Sequence, residues 1–372
     1  MKGLVDSTLR EGGQMVGVSF TLDEKKQILS YLVDLGIEEI ELGVATPYDR
    51  DLPELVQYCR NLDRNTRVAL WCPCRKENIE FAITLQPDVL SLSIPASNIL
   101  IRKKLERDCG WVLDTVRRSV LQAKKGGIGY VSLGLEDATR AHQEFLEQLV
   151  TTAASAGAAR IRLADTVGIA MPHDIASLVR TVQSYFQGDI GVHMHNDFGM
   201  AGANSLAALD AGSDYVDVSV LGIGERSGNA RLEEVAGFLA LRRGRDYEST
   251  AFKPLAQLVA DITGRRIDPF QPLIGERIFH CETGLHLQGL KKDTTTYEPY
   301  PPEKTGIERN WLYGAKIGKR EIKECLEQIG IRLPFNQLEN LVCEVRRVAG
   351  QLKRPLLQNE LQSLLASIHG NI

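Results

Sequence analysis

Two histidines lie two residues apart in the segment GVHMHNDFG, residues 191–199. If this segment is a β-strand, His193, His195 and Asp197 point to the same face, because side chains alternate along a strand. A single histidine is more often a structural residue, whereas two on one face at the end of a strand are typical of a metal site. The spacing therefore favours metal binding.

The composition is that of an ordinary soluble globular protein. Of the 372 residues, 43% are hydrophobic and 25% are charged, and the formal net charge is −4. This balance gives no reason to expect nucleic acid or a membrane as a partner. We find no apolar run of the ~18 residues that span a bilayer, and no signal-peptide core. Seven scattered cysteines favour reduced thiols, so we expect a cytoplasmic protein.

Short β-type runs alternate with helical stretches eight times. The predicted strands are residues 3–9, 38–44, 66–72, 88–94, 129–135, 159–165, 189–195 and 214–220. Alternating strands and helices indicate parallel βαβ units. A doubly wound open sheet is the alternative, but the sequence lacks the glycine fingerprint of a dinucleotide site that often opens such a fold. We therefore predict an α/β protein with a (β/α)8 TIM barrel over residues 1–250.

The pattern changes after the predicted barrel. Prolines interrupt residues 252–275, residues 297–306 have the composition of a loop, and residues 335–354 return to a helical pattern. We predict a mostly helical C-terminal region over residues 251–372. Its connections contain proline and glycine, and we expect it to act as a lid that closes over the mouth of the barrel.

Chemistry in such a barrel takes place where the strands end. Nearly every predicted strand brings polar groups to that rim: Arg10, Glu11, Gln14, Glu41, Arg75, Glu136, Asp137, Asp165, Thr166, His193, His195, Glu225, Arg226 and Asn229. Structural alternatives exist, since Asp165 could cap a helix, residues 222–229 could form a glycine-rich turn, and Glu136 could pair with Arg140. If every one of these residues had only a structural role, the high density of charged groups at one rim would be unexplained. We therefore favour a functional site there.

Two histidines and one carboxylate can hold a divalent ion and leave positions open for substrate. Glu11 is the natural carboxylate, because strands 1, 7 and 8 are neighbours when a barrel closes. Asn229 could add an amide oxygen. Nitrogen ligands favour manganese, zinc, iron or cobalt, and magnesium also remains open. Arg10, next to this site, would face an oxyanion formed there.

Three segments, DSTLREGGQ, HMHNDFGMAGANSLAALDAG and GIGERSGNARLEEV, together resemble the signatures of the homocitrate synthase and 2-isopropylmalate synthase family. These enzymes are metal-dependent Claisen-condensing barrels related to hydroxymethylglutaryl-CoA lyase. The resemblance covers residues 3–320 and is strongest to nitrogenase-type homocitrate synthases. It implies an acyltransferase that condenses acetyl-CoA with a 2-oxo acid in a homodimer.

The resemblance also implies a role for each matching position. Glu11, His193, His195 and Asn229 would bind the metal. Arg10 and Gln14 would contact the 2-oxo acid and its developing charge, and Thr166 would hold its carboxylate. The segment HCETGLHLQGLKKDTTTYE resembles the family's lid, so His286 and Tyr297 would join Glu136 in proton transfer. The predicted substrate-binding residues also include Glu41 and Arg75.

The chain departs from the family pattern in two of these segments. Cys281 stands where the lid motif has its first histidine, and Gly13 replaces a glutamate. We expect 2-oxoglutarate as substrate, since Arg75 could pair with a distal carboxylate. The alternatives are a 2-isopropylmalate-type or citramalate-type synthase that uses another 2-oxo acid, a lyase or aldolase that cleaves a 3-hydroxy acid, and an inactive metal-binding relative.

Overall fold

The computed structural model describes residues 1–62, 65–328 and 330–369. The chain divides into two compact units, Met1–Ile267 and Asp268–Ile372. The units divide later than residue 250 because the helix Phe252–Thr263 packs its apolar face, including Leu255 and Val259, inside the first unit. The proposed domain boundary after residue 250 stays a prediction.

Eight parallel strands form a closed barrel in chain order. They are β1 (Gly3–Asp6), β2 (Glu39–Val44), β3 (Arg67–Pro73), β4 (Val89–Pro95), β5 (Tyr130–Glu136), β6 (Arg160–Asp165), β7 (Asp189–Met194) and β8 (Tyr215–Val218). The barrel closes where β1 pairs with β8, with Leu4 opposite Val216. The predicted TIM barrel is confirmed. β1 ends earlier than predicted because the Arg10 and Glu11 amides turn back to the Ser7 carbonyl.

Helices surround the strands of the first unit. They are α1 (Leu22–Asp34), α2 (Leu52–Leu62), α3 (Lys76–Leu85), α4 (Asn98–Lys103), α5 (Cys109–Lys125), α6 (Gln143–Ala156), α7 (Pro172–Gln183), α8 (Ala201–Asp210), α9 (Leu232–Arg243) and α10 (Phe252–Thr263). α1 begins with a capping box, in which the Thr21 and Glu24 side chains accept each other's backbone N–H. α6 ends at Gly157, whose φ of 101° suits glycine.

The interior of the barrel contains a buried charged layer near the N-terminal ends of the strands, which we call the lower layer. Arg160 of β6 donates to Glu39 of β2 through Nη1, at 3.2 Å, and through Nη2, at 2.5 Å. Its Nε donates to Ser132 Oγ at 3.0 Å. The guanidinium also lies 4.5 Å from the ring centroid of Tyr215. Because each of these groups has a partner, the layer can tolerate complete burial.

The second unit has its own hydrophobic core. It contains the short parallel strands β9 (His280–Cys281) and β10 (Asn310–Trp311) and the helices α11 (Gly284–Lys292), α12 (Lys319–Gln328), α13 (Phe335–Leu352) and α14 (Gln358–His369). Leu287, Ile322, Leu341 and Val345 pack together in that core. The predicted helical C-terminal region is therefore confirmed. In neither unit does a described helix have both the length and the apolar character needed to cross a membrane.

Candidate metal centre at the barrel mouth

Three buried side chains meet at the C-terminal end of the barrel. Glu11 follows β1, His193 lies on β7, and His195 follows β7 directly. One ligand atom from each lies within 4.8 Å of the other two. His195 Nε2 lies 3.5 Å from one Glu11 carboxylate oxygen, and His193 Nε2 lies 3.9 Å from the other. This arrangement could hold a divalent ion.

Both histidines are oriented through the other ring nitrogen. His193 Nδ1 lies 2.9 Å from Asp217 Oδ2, and His195 Nδ1 lies 3.2 Å from the Asp165 carbonyl oxygen. Each Nε2 is therefore left to face Glu11. Burial lowers the pKa of His193 to about 4 and also lowers the pKa of His195. Both imidazoles are thus held neutral, which is the form that binds metals.

Asn229 is the candidate for a fourth donor. Its amide oxygen and nitrogen are both buried and have no hydrogen-bond partner among the described residues. A Cβ on Gly224 would lie 3.2 Å from both of these atoms and 3.1 Å from Glu11 Cγ, so a side chain there would crowd the site. An unpaired buried amide is costly. One carboxylate, two neutral imidazoles and one amide oxygen fit a divalent cation.

A second charged layer lies in the barrel between the lower layer and the metal centre, and we call it the upper layer. It consists of Arg10, Glu41, Arg162 and Asp217. Arg162 Nη1 lies 2.7 Å from Glu41 Oε1 and 3.0 Å from Asp217 Oδ2, and Arg10 Nε lies 2.6 Å from Glu41 Oε2. Arg10 also pairs with Glu11. The layer therefore connects β2 and β6 to the candidate metal ligands.

The sequence placed Glu41 among the substrate-binding residues, but the structure buries it completely between two arginines. Burial raises the pKa of Glu41, but the charges of Arg10 and Arg162 outweigh this effect and hold the pKa well below its usual range. Its carboxylate is ionised, and both of its oxygens are engaged. In this arrangement Glu41 positions Arg10 and does not face the cavity above.

A cavity of about 220 Å³ opens beside the metal centre. Seven of the predicted site residues line it: Arg10, Glu11, Gln14, Glu136, Thr166, His193 and His195. The Thr166 hydroxyl accepts a hydrogen bond from the Asp137 amide at 2.8 Å, so its own proton can be donated to a ligand. The structure therefore brings most of the predicted set together.

Glu136 has two partners at this cavity. Its Oε1 accepts a hydrogen bond from Ser93 Oγ at 3.0 Å, and its Oε2 pairs with Lys104 Nζ at 2.8 Å. Arg140, the suggested structural partner of Glu136, instead donates to Asp137 at 2.8 Å. The carboxylate of Glu136 thus stays at the mouth of the barrel, where it can exchange a proton with a ligand.

One predicted residue of the first unit, Arg75, lies apart from this group. Arg75 is exposed at the start of α3 and does not line the cavity. Its expected pairing with a distal carboxylate has no support in this geometry. His286 and Tyr297 belong to the second unit, where their ring centroids are 4.2 Å apart. Their joint action with Glu136 stays a prediction.

Two other expected features have structural roles. Asp165 caps the turn after β6, since its carboxylate accepts the backbone N–H groups of Ile169 and Ala170. The loop at residues 222–229 is held by Arg226, which donates to both oxygens of Asp197 at 2.9 Å. Gly228 has a φ of 85°, and a Cβ there would collide with a backbone carbonyl. Asp197 therefore anchors the loop that carries Asn229 and does not join the histidines.

The sequence did not single out two cationic side chains that line the cavity, Lys104 and Arg162. Arg162 had a usable signal, because the strand RIRLAD places Arg160 and Arg162 on one face. Lys104 had no such signal. It lies at the end of the short helix α4, whereas the residues predicted to line the mouth were polar residues at the ends of strands.

Comparisons with known proteins match this architecture. The model of the family described as HMGL-like matches residues 3–261, and the model described as homocitrate synthase post-HMGL domain-like matches residues 273–353. 2-Isopropylmalate synthase 2 of Caldanaerobacter subterraneus subsp. tengcongensis is 35% identical over 367 residues, which are 98% of this chain and 95% of that relative. Homocitrate synthase 1 of Nostoc sp. is 34% identical over 364 residues, with coverage of 97% and 96%.

Among solved structures, the hydroxymethylglutaryl-CoA lyase of Bacillus subtilis superimposes with a TM-score of 0.64. The match covers 72% of this chain and 95% of that chain at 20% sequence identity. At this level of identity the likeness concerns the fold alone. The fold in question is the eight-stranded barrel described above.

Proposed function

Because this chain belongs to the family of homocitrate and 2-isopropylmalate synthases, we propose that it is an acyltransferase that condenses acetyl-CoA with a 2-oxo acid. The preferred 2-oxo acid in this proposal is 2-oxoglutarate, and the products are homocitrate and CoA. The observation that carries the proposal is the buried Glu11, His193 and His195 group beside a cavity lined by three cationic side chains. We further propose that the enzyme acts as a cytoplasmic homodimer.

In this proposal Glu11, His193, His195 and Asn229 would hold a divalent ion beside the cavity that takes the 2-oxo acid. A divalent ion there, of manganese, magnesium, zinc, iron or cobalt, would polarise the keto group as a Lewis acid. The Thr166 hydroxyl and the Gln14 amide would orient the substrate carboxylate from the wall of the cavity. The keto carbon is thereby presented as an electrophile.

Glu136 is the proposed proton acceptor. It takes a proton from the acetyl methyl group, and the resulting carbanion forms a carbon–carbon bond to the keto carbon, whose oxygen then takes up a proton. Water hydrolyses the thioester and releases CoA. Arg10, fixed by Glu41 at 2.6 Å, would stabilise the negative charge that develops on oxygen. Loss of one such donor typically lowers turnover by about 10²–10³-fold.

CoA release from acetyl-CoA tests the proposal. The assay uses a panel of 2-oxo acids, with and without EDTA, followed by addition of Mn²⁺ or Mg²⁺. We expect metal-dependent release that is fastest with 2-oxoglutarate. Faster release with 2-oxoisovalerate or pyruvate would retain the chemistry and change the substrate. No release from folded, metal-loaded protein would contradict the proposal, and cleavage of a 3-hydroxy acid would then be the next activity to measure.

A further inference from the structure

The three cations that line the cavity differ in how firmly they are held. Arg10 and Arg162 are buried, and each pairs with two carboxylates. Lys104 is different, because 57% of its side chain is exposed and its ammonium pairs with Glu136 at 2.8 Å. Breaking a buried pair is strongly unfavourable, whereas an exposed pair contributes little. Lys104 is therefore the cation that can change partner when a substrate enters.

The barrel order places Lys104 opposite the metal centre. The candidate metal ligands follow or lie on β1, β7 and β8, whereas Lys104 follows β4 through α4 and Glu136 ends β5. In a closed barrel of eight strands, β4 and β5 lie across from β8 and β1. A 2-oxo acid whose keto end lies at the metal centre would extend its side chain toward this opposite wall.

A second hydrogen bond orients Glu136 on the opposite wall, and the backbone there is closely packed. Gly134 of β5 has no side chain, and a Cβ there would lie 3.3 Å from the Leu92 carbonyl oxygen and 3.6 Å from Ser93 Oγ. Ser93 donates to Glu136 at 3.0 Å. Glu136 therefore keeps one partner when Lys104 turns away from it, and its carboxylate remains oriented.

We propose that Lys104 selects the class of substrate, by binding the anionic group at the far end of the side chain of the 2-oxo acid. This inference rests on the proposed condensing function and assigns to Lys104 the part that the sequence assigned to Arg75. The free protein holds the ammonium on Glu136, and an acidic substrate exchanges that partner for its own distal anion. A 2-oxo acid with an apolar side chain cannot make this contact.

The test compares the ratio of kcat/KM for 2-oxoglutarate to that for 2-oxoisovalerate. Any effect of Lys104 on proton transfer by Glu136 acts on both substrates and cancels in the ratio. We expect Lys104→Met to lower the ratio by about 10- to 100-fold, which corresponds to one hydrogen bond to a charged group. Lys104→Arg should retain most of it. Lys103→Met is the matched control, since Lys103 is the neighbouring exposed residue and does not line the cavity.

Three outcomes would overturn the proposal. An unchanged ratio in Lys104→Met, with both kcat/KM values at the wild-type level, would show that Lys104 does not bind the distal anion. An equal loss for both substrates would make Lys104 a positioning residue for Glu136 alone. If Arg75→Met lowers the ratio and Lys104→Met does not, Arg75 binds the distal carboxylate, as the sequence predicted. Failure of the condensing function itself is distinguishable, because wild-type protein would then release no CoA with either substrate.

Discussion

The lower and upper charged layers of the barrel share two strands and the same pair of residue types. β2 supplies Glu39 to the lower layer and Glu41 to the upper one, and β6 supplies Arg160 and Arg162 in the same order. A spacing of two residues keeps each pair on the inner face of its strand. The two layers differ in what lies beside them.

The lower layer is closed. Arg160 and Glu39 are completely buried. Besides its pair with Glu39, Arg160 donates to the Ser132 hydroxyl and packs against the Tyr215 ring. The upper layer is open, because buried atoms next to it have no hydrogen-bond partner among the described residues. These atoms are Asp217 Oδ1 and both amide atoms of Asn229. A satisfied layer supports the scaffold, whereas unsatisfied atoms beside the same kind of ion pair indicate a place where a ligand binds.

Metal removal should have the largest effect, and it should affect the activity at the upper layer without unfolding the scaffold that the lower layer supports. Treatment with EDTA should reduce CoA release to background, since a Lewis acid at the keto group lowers the barrier by several kcal/mol. Addition of Mn²⁺ or Mg²⁺ should restore the activity. The far-UV circular dichroism should change little, because the lower layer and the strands need no ion. Full activity in protein shown by elemental analysis to be free of metal would contradict the assignment of Glu11, His193 and His195.

A substitution in the lower layer should lower the stability of the protein but leave its affinity for metal unchanged. Arg160→Met leaves the buried Glu39 carboxylate with Arg67, 3.4 Å away, as its remaining cationic partner. The free energy of unfolding in urea should therefore fall by about 3 kcal/mol, the lower end of the cost of breaking a buried ion pair. The double variant Arg160→Met/Glu39→Leu should recover part of this loss, because no buried carboxylate is left without its arginine. A single variant as stable as wild type would show that the lower layer is not needed for the scaffold.

A carboxylate whose pKa is raised by burial should show the opposite pH dependence from Glu41. Burial raises the pKa of Glu233 to about 7. This is above its value in an unfolded chain, so its contribution to stability is present at low pH and is lost as the pH rises through 7. Glu41, with a lowered pKa, contributes stability that is lost as the pH falls.

Glu233→Gln removes the titration of this group. The free energy of unfolding of the variant, relative to wild type, should therefore rise between pH 5 and pH 8 by about 2 kcal/mol, from about 1.4 kcal/mol per pKa unit. Both proteins should be measured in EDTA, so that metal binding does not add its own pH dependence. A difference that stays constant over this range would contradict a raised pKa for Glu233.

The parts that follow from local sequence patterns were predictable. Alternating apolar runs and amphipathic helices predicted eight segments that overlap all eight barrel strands. The histidine spacing and the ends of β1 and β7 predicted the residues that meet at the mouth, since a closed barrel brings β1, β7 and β8 together. These predictions depend on strand periodicity and strand order, and both are visible in a single sequence.

The parts that depend on tertiary packing were not predictable in the same way. Arg75 follows β3 closely, but α3 begins directly after it and its side chain is exposed. Glu41 lies on a strand as expected, yet its partners come from β6 and from the turn after β1. Lys104 reaches the cavity from a helix inserted between β4 and β5. Such contacts join residues far apart in the chain, and no local spacing indicates them.

A further expected effect concerns the contact between the upper layer and the metal centre. Asp217 Oδ2 lies 2.9 Å from His193 Nδ1 and 3.0 Å from Arg162 Nη1. Asp217→Asn keeps the shape of the side chain and removes its charge, so His193 loses part of its orientation and basicity. The affinity for Mn²⁺, measured by calorimetry on metal-free protein, should fall about 10- to 100-fold.

Arg160→Met is the matched comparison for this measurement, because it disturbs the layer below and should leave the affinity for Mn²⁺ unchanged. If Asp217→Asn binds Mn²⁺ as tightly as wild type, the upper layer does not orient His193. The difference between the two layers would then reduce to their depth in the barrel. If both variants lose affinity equally, the two layers act as one unit, because a disturbance near the N-terminal ends of the strands would reach the ligands at the mouth.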